Sequence, residues 1–395
     1  MLFIYRLQRY KKKEQLPIKR KEKCVFSCFY WKKTLSLHTM NRKELITFII
    51  NPISGTSRKS KIPAVIDEVL NHERFDYRIR YTEYAGHASV IASEERDAGT
   101  AVVVAVGGDG TVNEVGAGLA GGQTALGIIP CGSGNGLARH LMIPIDVKGA
   151  LEIINLKEIH DLDYGIINEH PFFCTCGMGF DAFISMKFAE AGKRGLTTYV
   201  ENVLREGLKY KPETYVIEDE DGLTTHRAFL VSCANASQYG NNAYIAPQAS
   251  MSDGMLDVII MEPFDVLEAP QVAIEMMSKT LDRNQKIKTF RTKHICIHRH
   301  EDGFIHYDGD PVMSDKDVDI RIVHKGIRVV INPNADKSKR KPNMMQMALC
   351  EFFNDINVVR EDITKQFDQM LGDLNKQSRN IQAMNKKLLR KINKL

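Results

Sequence analysis

The chain is 395 residues long, with 43% hydrophobic and 26% charged residues, a composition typical of a globular protein with more than one domain. Its formal net charge is +5, but eleven Lys and Arg against two Glu give residues 1–39 a charge of +9, which leaves −4 for the rest. Nucleic acid is therefore not an expected partner, because its binding needs cations clustered over a binding face.

The first segment, residues 1–43, is predicted to be a basic, disordered arm. Either the start of translation lies at Met40, just before the alternation of apolar strands and amphipathic helices begins, or the arm adheres to anionic lipid through its Lys and Arg residues. The eight cysteines lack a paired C-x-x-C spacing, the opening residues do not resemble a signal peptide, and no apolar run approaches the roughly 20 residues of a membrane-spanning helix. We expect a cytoplasmic protein, and any contact with lipid would be made from the membrane surface.

Residues 44–162 alternate between short apolar strands and amphipathic helices, the order typical of a doubly wound α/β domain. Strands are predicted at "LITFII", "YRIRYT", "TAVVVAV" and "TALGIIP", and helices over 61–71 and 87–98. The last two strands are continuous apolar runs, as expected of parallel strands covered on both faces. A segment near 323–335 is predicted to complete this α/β domain.

The pattern changes at about Asp161 to strands separated by hairpin signals, which predicts a C-terminal antiparallel β-sandwich over 163–322. Two helical stretches, near 182–210 and 265–282, are expected within this β-sandwich domain. Residues 342–395 carry apolar residues at 3/4 spacing among polar ones and predict an amphipathic helix. This tail helix packs on its own protein, forms a homodimer as a short coiled coil, or adheres to a membrane.

Four loops carry the chemistry, each at the end of a predicted strand or the start of a helix: "NPISG", "YTEYAGHA", "GGDGTVNE" and "PCGSGNGLARHL". In a doubly wound sheet such loops meet at the carboxyl edge, where ligands bind. Glycine lets the backbone approach a phosphate, and a helix N-terminus offers unpaired N–H groups. The chain has no G-x-x-x-x-G-K-[S/T] motif, which excludes a P-loop.

Asp109 is the distinctive residue of the third loop, because a carboxylate among phosphate-binding glycines would repel the anion unless a metal ion or a proton lies between them. The loops together resemble those of the diacylglycerol kinase catalytic-domain family, which includes bacterial lipid kinases, sphingosine kinases and ceramide kinases. The resemblance covers roughly residues 44–335. It implies an ATP-dependent, magnesium-dependent kinase that phosphorylates a lipid hydroxyl, with an N-terminal α/β domain and a C-terminal β-sandwich.

The resemblance also implies which residues bind the nucleotide. They are Asn51, Pro52, Ser54, Gly55, Thr82, Gly107, Gly108, Asp109, Gly110, Thr111, Asn113, Gly132 and Ser133. The segment "YIAPQASMSDGMLDVII" is similar to the family signature in which Asp253 binds Mg²⁺, assisted by groups at Ser250 and Met255.

The segment "FIHYDGDPV" resembles the family's D-G-E motif, whose Glu is the general base of bacterial members. Here Asp310, one methylene shorter, occupies that position, so Asp109, which has this role in the sphingosine-kinase branch, is the competing candidate. Either carboxylate must lie within hydrogen-bond reach of the lipid hydroxyl.

Diacylglycerol and a sphingosine-like long-chain base are both candidate substrates. "GSGNGLARHL" resembles the sphingosine and ceramide kinase version of its loop, whereas "GMGFDAFISM" resembles bacterial members and has Phe183 where sphingosine kinases place an amine-recognising Asp. Two other functions fit less of the sequence. One is NAD kinase, which shares a GGDG loop; the other is a catalytically impaired lipid-binding scaffold, which only the Glu-to-Asp change supports.

A second group of metal-ligand residues alternates along one predicted strand: His294, Cys296, His298 and His300. Same-face neighbours on a strand lie about 7 Å apart, too far for one strand to supply several ligands of a tetrahedral zinc. We therefore expect an exposed polar strand face there.

Overall fold

A computed structural model describes residues 43–53, 59–191, 210–264 and 268–335. The predicted arm up to residue 42 and the predicted tail helix lie outside these residues. The strands are β1 Glu44–Ile50, β2 Phe75–Tyr81, β3 Val102–Gly107, β4 Ala125–Pro130, β5 Ile159–Ile167, β6 His170–Phe172, β7 Thr175–Gly179, β8 Glu213–Asp219, β9 Gly222–Ala228, β10 Leu230–Ala234, β11 Leu256–Met261, β12 Ile287–Thr292, β13 His294–His298, β14 Gly303–Tyr307, β15 Asp310–Ser314 and β16 Asp317–Val330. The helices are α1 Ile62–Val69, α2 His87–Asp97, α3 Asp109–Leu119, α4 Gly136–His140, α5 Val147–Leu156, α6 Phe180–Ala191 and α7 Ala269–Ser278.

The larger sheet begins as a parallel α/β sheet. Its order is β2-β1-β3-β4-β16-β13-β8-β9, with β5 and β6 paired beside β16. Strand β3 runs parallel to both β1 and β4. Every residue of β3 and β4 is buried, because apolar runs such as "VVVAVG" are covered on both faces. The carboxyl ends of these strands therefore share one edge.

Helix starts in this part follow local sequence signals. The Asp146 carboxylate accepts a hydrogen bond from the Gly149 N–H at 2.8 Å and caps α5. Proline in the first turn of α1 is compatible with that position, because the N–H it lacks would have no partner in the helix. No helix within the described ranges is long and apolar enough to span a bilayer.

The smaller sheet is antiparallel, with the order β12-β11-β10-β7-β14-β15. It packs on the part of the larger sheet formed by β8, β13 and β16, and their buried apolar side chains make one core. Strand β16 belongs to both halves: it pairs antiparallel with β13 and, past an irregularity between Val323 and Ile327, parallel with β4. The architecture is the predicted one, an N-terminal α/β sheet followed by an antiparallel β-sandwich.

Candidate active site

Two glycine-rich loops follow the adjacent strands β3 and β4, and their backbones are in direct contact. A methyl group added at Gly132 would lie 2.7 Å from the Cα of Gly108. One added at Gly107 would lie 2.4 Å from Thr111 Oγ1. Because real Cβ atoms do not approach neighbours this closely, Gly132 is needed for the two loops to pack together, and Gly107 leaves room for the Thr111 side chain.

The carboxylate of Asp109 connects these two loops. Its Oδ2 accepts a hydrogen bond from the Asn135 N–H at 2.8 Å, and its Oδ1 accepts one from the Gly136 N–H at 2.6 Å. Burial raises the pKa of the Asp109 carboxyl, and the two backbone N–H groups offset only part of this effect. In this structure the Asp109 carboxylate therefore binds the backbone of the neighbouring loop.

Asn135 fixes the shape of the second loop. It has a φ of +53°, in the left-handed region that Asn adopts more readily than most residues. Its side chain closes the loop on Gly132, with Oδ1 accepting the Gly132 N–H at 2.9 Å and Nδ2 donating to the Gly132 carbonyl at 2.8 Å. Asn135 is not among the site residues predicted from the sequence, although an Asn between two glycines is a signal for a left-handed turn. Ser133 is exposed at the tip.

The first two predicted loops join the same edge. The Asn51 amide donates to Thr111 Oγ1 at 3.2 Å, and the buried Thr82 donates its N–H to the Ile50 carbonyl at 3.0 Å. Pro52 is exposed beside Asn51. Ser54 and Gly55 lie outside the described residues, so their predicted contact with the nucleotide stays a prediction.

Lys59 brings a buried cation to this edge, which the sequence analysis did not identify. Its Nζ donates to the Asn51 carbonyl, and only 8% of the residue is exposed. Lys59 also influences Cys131, which follows β4: burial raises the pKa of the Cys131 thiol, while the lysine charge acts in the opposite direction. A partly desolvated positive charge beside glycine-rich loops suits an anionic ligand.

The hairpin between β14 and β15, which belongs to the smaller sheet, contributes carboxylates to the site. Asp308 and Gly309 form its two-residue turn, with φ values of +48° and +92°, as the Asp-Gly sequence of a type I′ turn favours. The Asp308 carboxylate accepts hydrogen bonds from Asn113 Nδ2 at 2.9 Å and from the backbone N–H groups of Phe173, Cys174 and Thr175 at 2.9, 2.7 and 3.1 Å. Burial raises its pKa. Asp308 thus anchors the hairpin.

Asn113, predicted to contact the nucleotide, uses its amide within the protein. Besides Asp308, its Nδ2 donates to the Pro171 carbonyl at 3.0 Å. The side chain therefore joins α3 to the segment that leads into the second sheet. A nucleotide contact by Asn113 stays a prediction.

The turn places Asp310 at the first position of β15, exposed and facing the third glycine loop. A methyl group added at Gly110 would lie 3.4 Å from Asp310 Oδ2. The structure therefore brings both candidate bases to one site, but in different states. Asp109 has both oxygens bound to backbone N–H groups, whereas Asp310 is accessible at the rim.

The predicted magnesium residues lie at the turn before β11. Asp253 Oδ2 forms an ion pair with Arg291, and its Oδ1 accepts the Met255 N–H at 3.1 Å. Ser250 Oγ lies 3.2 Å from Ser252 Oγ. In this arrangement the carboxylate is neutralised by a guanidinium group, so the residues do not fit a magnesium ion as they stand. Binding of Mg²⁺ at Asp253 stays a prediction that requires Arg291 to move away.

Two family models match this chain. The family model "Diacylglycerol kinase catalytic domain" matches residues 45–167, and the model "YegS C-terminal NAD kinase beta sandwich-like domain" matches residues 175–338. The family and the fold class that the sequence predicted are thereby confirmed.

Relatives and solved structures show the same similarity. An uncharacterized protein of Synechocystis sp. is 27% identical over 252 residues, which is 60% of this chain and 58% of the relative. A protein of Escherichia fergusonii named "Probable lipid kinase YegS" is 26% identical over 273 residues, 67% of this chain and 90% of the relative. The crystal structure of a diacylglycerol kinase from Bacillus anthracis str. Sterne is 20% identical with a TM-score of 0.58, covering 74% of this chain and 97% of that chain. At this identity the structural likeness shows the fold alone.

Proposed function

Because this chain belongs to the diacylglycerol kinase catalytic-domain family, a family of lipid kinases, we propose that it transfers the γ-phosphate of ATP to the hydroxyl of a lipid, with Mg²⁺ as metal cofactor. One observation carries the proposal: an exposed carboxylate, Asp310, faces Gly110 in a loop whose backbone packs directly on the next glycine-rich loop.

The glycine loops would hold the phosphates of ATP. Helix α3 begins directly after Gly108, so its first N–H groups and the positive end of its dipole lie at the loop. Lys59 adds a positive charge at the same edge. Mg²⁺ bound with the nucleotide would neutralise further phosphate charge.

Asp310 would act as general base. It accepts the proton of the lipid hydroxyl while the hydroxyl oxygen forms a bond to the γ-phosphorus, and the bond between that phosphorus and the bridging oxygen of ADP breaks. Asp109 supports the reaction indirectly, because its hydrogen bonds from the N–H groups of Asn135 and Gly136 fix the position of one loop relative to the other.

The surroundings of Phe183 favour a neutral lipid over a protonated long-chain base. Its ring lies 6.5 Å from the Phe180 ring and 5.5 Å from the Tyr210 ring, and Lys187 Nζ lies 5.7 Å above it. The nearby Asp181 carboxylate already binds Tyr239, His306 and the Ala182 N–H. An ammonium group would meet a cation here and no unengaged carboxylate among these side chains, so diacylglycerol is the proposed substrate.

Transfer of labelled phosphate tests the proposal. The full-length protein is incubated with γ-labelled ATP and mixed micelles that contain diacylglycerol, sphingosine or ceramide, with NAD as a soluble control, in the presence of Mg²⁺ or of a chelator. We expect label in diacylglycerol only, and only with Mg²⁺. Label in sphingosine would refute the substrate assignment, label in NAD would move the chain to NAD kinase chemistry, and no transfer to any acceptor would favour the scaffold function.

The proposal places the lipid substrate at a membrane surface. A homodimer through residues 342–395 stays a prediction, because those residues lie outside the described ranges. Sedimentation of the full chain and of a chain ending at residue 341 would test it. A dimer only with the tail is the expected result, and monomers in both would contradict it.

A further inference from the structure

The sandwich half has a polar outer face that the proposed reaction does not use. Strand β13 lies between β8 and β16, and Ile295, Ile297, Val318 and Ile320 are buried against the second sheet. Because side chains alternate along a strand, the residues between them project to the opposite face. On this outer face stand Glu218, His294, Cys296, His298, Asp317 and Asp319.

Three of these side chains come from two strands and meet at one point. Cys296 is the direct cross-strand partner of Asp319. His294 Nε2 lies 2.5 Å from Asp319 Oδ2, and Cys296 Sγ lies 3.7 Å from the same oxygen and 3.8 Å from His294 Nε2. All three candidate ligand atoms lie within 4.8 Å of one another. The third ligand, Asp319, comes from β16 and so lies outside the strand that the sequence pattern singled out.

These separations are close to those of a tetrahedral zinc site. With Zn–S near 2.3 Å and Zn–N and Zn–O near 2.0–2.1 Å, ligand atoms in a tetrahedron are about 3.3–3.6 Å apart. The two distances from sulfur already agree with this within a few tenths of an ångström. Only the contact between His294 and Asp319 must open, by roughly 0.8 Å, which rotation of an exposed imidazole can supply.

We propose that His294, Cys296 and Asp319 form a zinc site on the outer face of the β-sandwich, with water as the fourth ligand. A thiolate and an imidazole select zinc over the magnesium of the kinase reaction, since magnesium prefers oxygen ligands. The site links β13 to β16, the strand that continues into the nucleotide-binding sheet. Its effect is to hold these two strands together.

The neighbouring charges orient the carboxylate ligand but oppose ionisation of the thiol. Arg321 Nη1 donates to Asp319 Oδ1 at 2.8 Å, which orients the carboxylate and leaves Oδ2 directed at His294 and Cys296. The pKa of Asp319 is lowered by hydrogen bonds from His294 and Arg321, which outweigh its partial burial. Partial burial and nearby carboxylates raise the pKa of the Cys296 thiol, so metal binding displaces the thiol proton to solvent as the Zn–S bond forms.

The experiment is a metal titration of the full-length protein after removal of metals by a chelator. Zn²⁺ affinity is measured in competition with a chromophoric chelator, and Co²⁺ is added separately because its absorption reports a thiolate ligand. The variants are Cys296→Ser, His294→Gln and Asp319→Asn. His300→Gln is the matched control, because His300 follows on the same chain segment but its side chain is 94% exposed and outside the cluster.

We expect Zn²⁺ affinity at this site to fall by about tenfold or more in each of the three variants and to be unchanged in His300→Gln. The thiolate band of Co²⁺ should lose the contribution of Cys296. Zinc should also raise the melting temperature of the wild type and of His300→Gln but not of Cys296→Ser, a comparison that holds even where a variant is less stable. Equal zinc affinity in Cys296→Ser and wild type would overturn the proposal. Phosphate transfer is a separate readout, so its absence would leave this test intact.

Discussion

The loop after β3 contributes one enclosed carboxylate to the site, whereas the hairpin before β15 contributes one enclosed and one exposed carboxylate. Asp109 and Asp308 are enclosed and bound to backbone N–H groups of other segments. Asp310, two residues beyond Asp308, is exposed beside Gly110. The difference separates two tasks, since a carboxylate that organises backbone must keep its partners, whereas one that accepts a proton needs access to substrate.

The largest effect is expected at the exposed carboxylate. Asp310→Asn should lower kcat by about 10²–10⁴-fold, the usual contribution of a general base, because the amide cannot accept the hydroxyl proton. Unfolding free energy should change by less than about 0.5 kcal/mol, as for other surface substitutions. Initial rates of phosphate transfer and urea unfolding of the same preparation measure the two quantities.

Asp315→Asn is the matched control for this prediction, because Asp315 is an exposed carboxylate that follows the same strand. It should keep both activity and stability. If Asp310→Asn remained fully active while Asp109 variants lost activity at unchanged stability, the two carboxylates would have the opposite roles.

A smaller effect, on stability, is expected at the enclosed carboxylate. Asp109→Ala removes the acceptor of the Asn135 and Gly136 N–H groups, both of which belong to buried residues. Two unpaired buried donors should lower the unfolding free energy by about 2–4 kcal/mol. Urea unfolding of Asp109→Ala beside Asp310→Ala gives the comparison directly, and equal midpoints would show that Asp109 does not hold the loops together.

The sequence predicted the parts of this site that depend on local pattern. Apolar runs followed by glycine located β3 and β4 and their loops, and parallel order placed Asn51, Thr82 and Gly132 at one edge. It also predicted the antiparallel half from its hairpin signals. These features follow from residues close together in the chain, where turn chemistry and periodicity act.

The roles of individual side chains could not be predicted in this way, because they depend on distant partners. Asp308 binds the Phe173 N–H across 135 residues of chain, and Lys59 is a functional candidate only because the fold buries it beside Asn51. The same applies to Asp319, which completes the candidate zinc site from a neighbouring strand. Strand pairing decides such contacts, and a single sequence gives no register between distant strands.

The smallest effects are expected from two glycine-to-alanine substitutions, one where the two loops touch and one where the third loop faces Asp310. Gly132→Ala places a methyl group 2.7 Å from the Gly108 Cα and should cost about 1–2 kcal/mol of stability, because backbone must shift to make room. In Gly110→Ala the atom nearest to the added methyl group is Asp310 Oδ2 at 3.4 Å, which is an ordinary contact. The unfolding free energy of this variant should therefore stay the same, while its rate of phosphate transfer falls. Unfolding curves and initial rates for the pair test this. A stable, fully active Gly110→Ala would mean that the space between Gly110 and Asp310 is not where the phosphate is transferred.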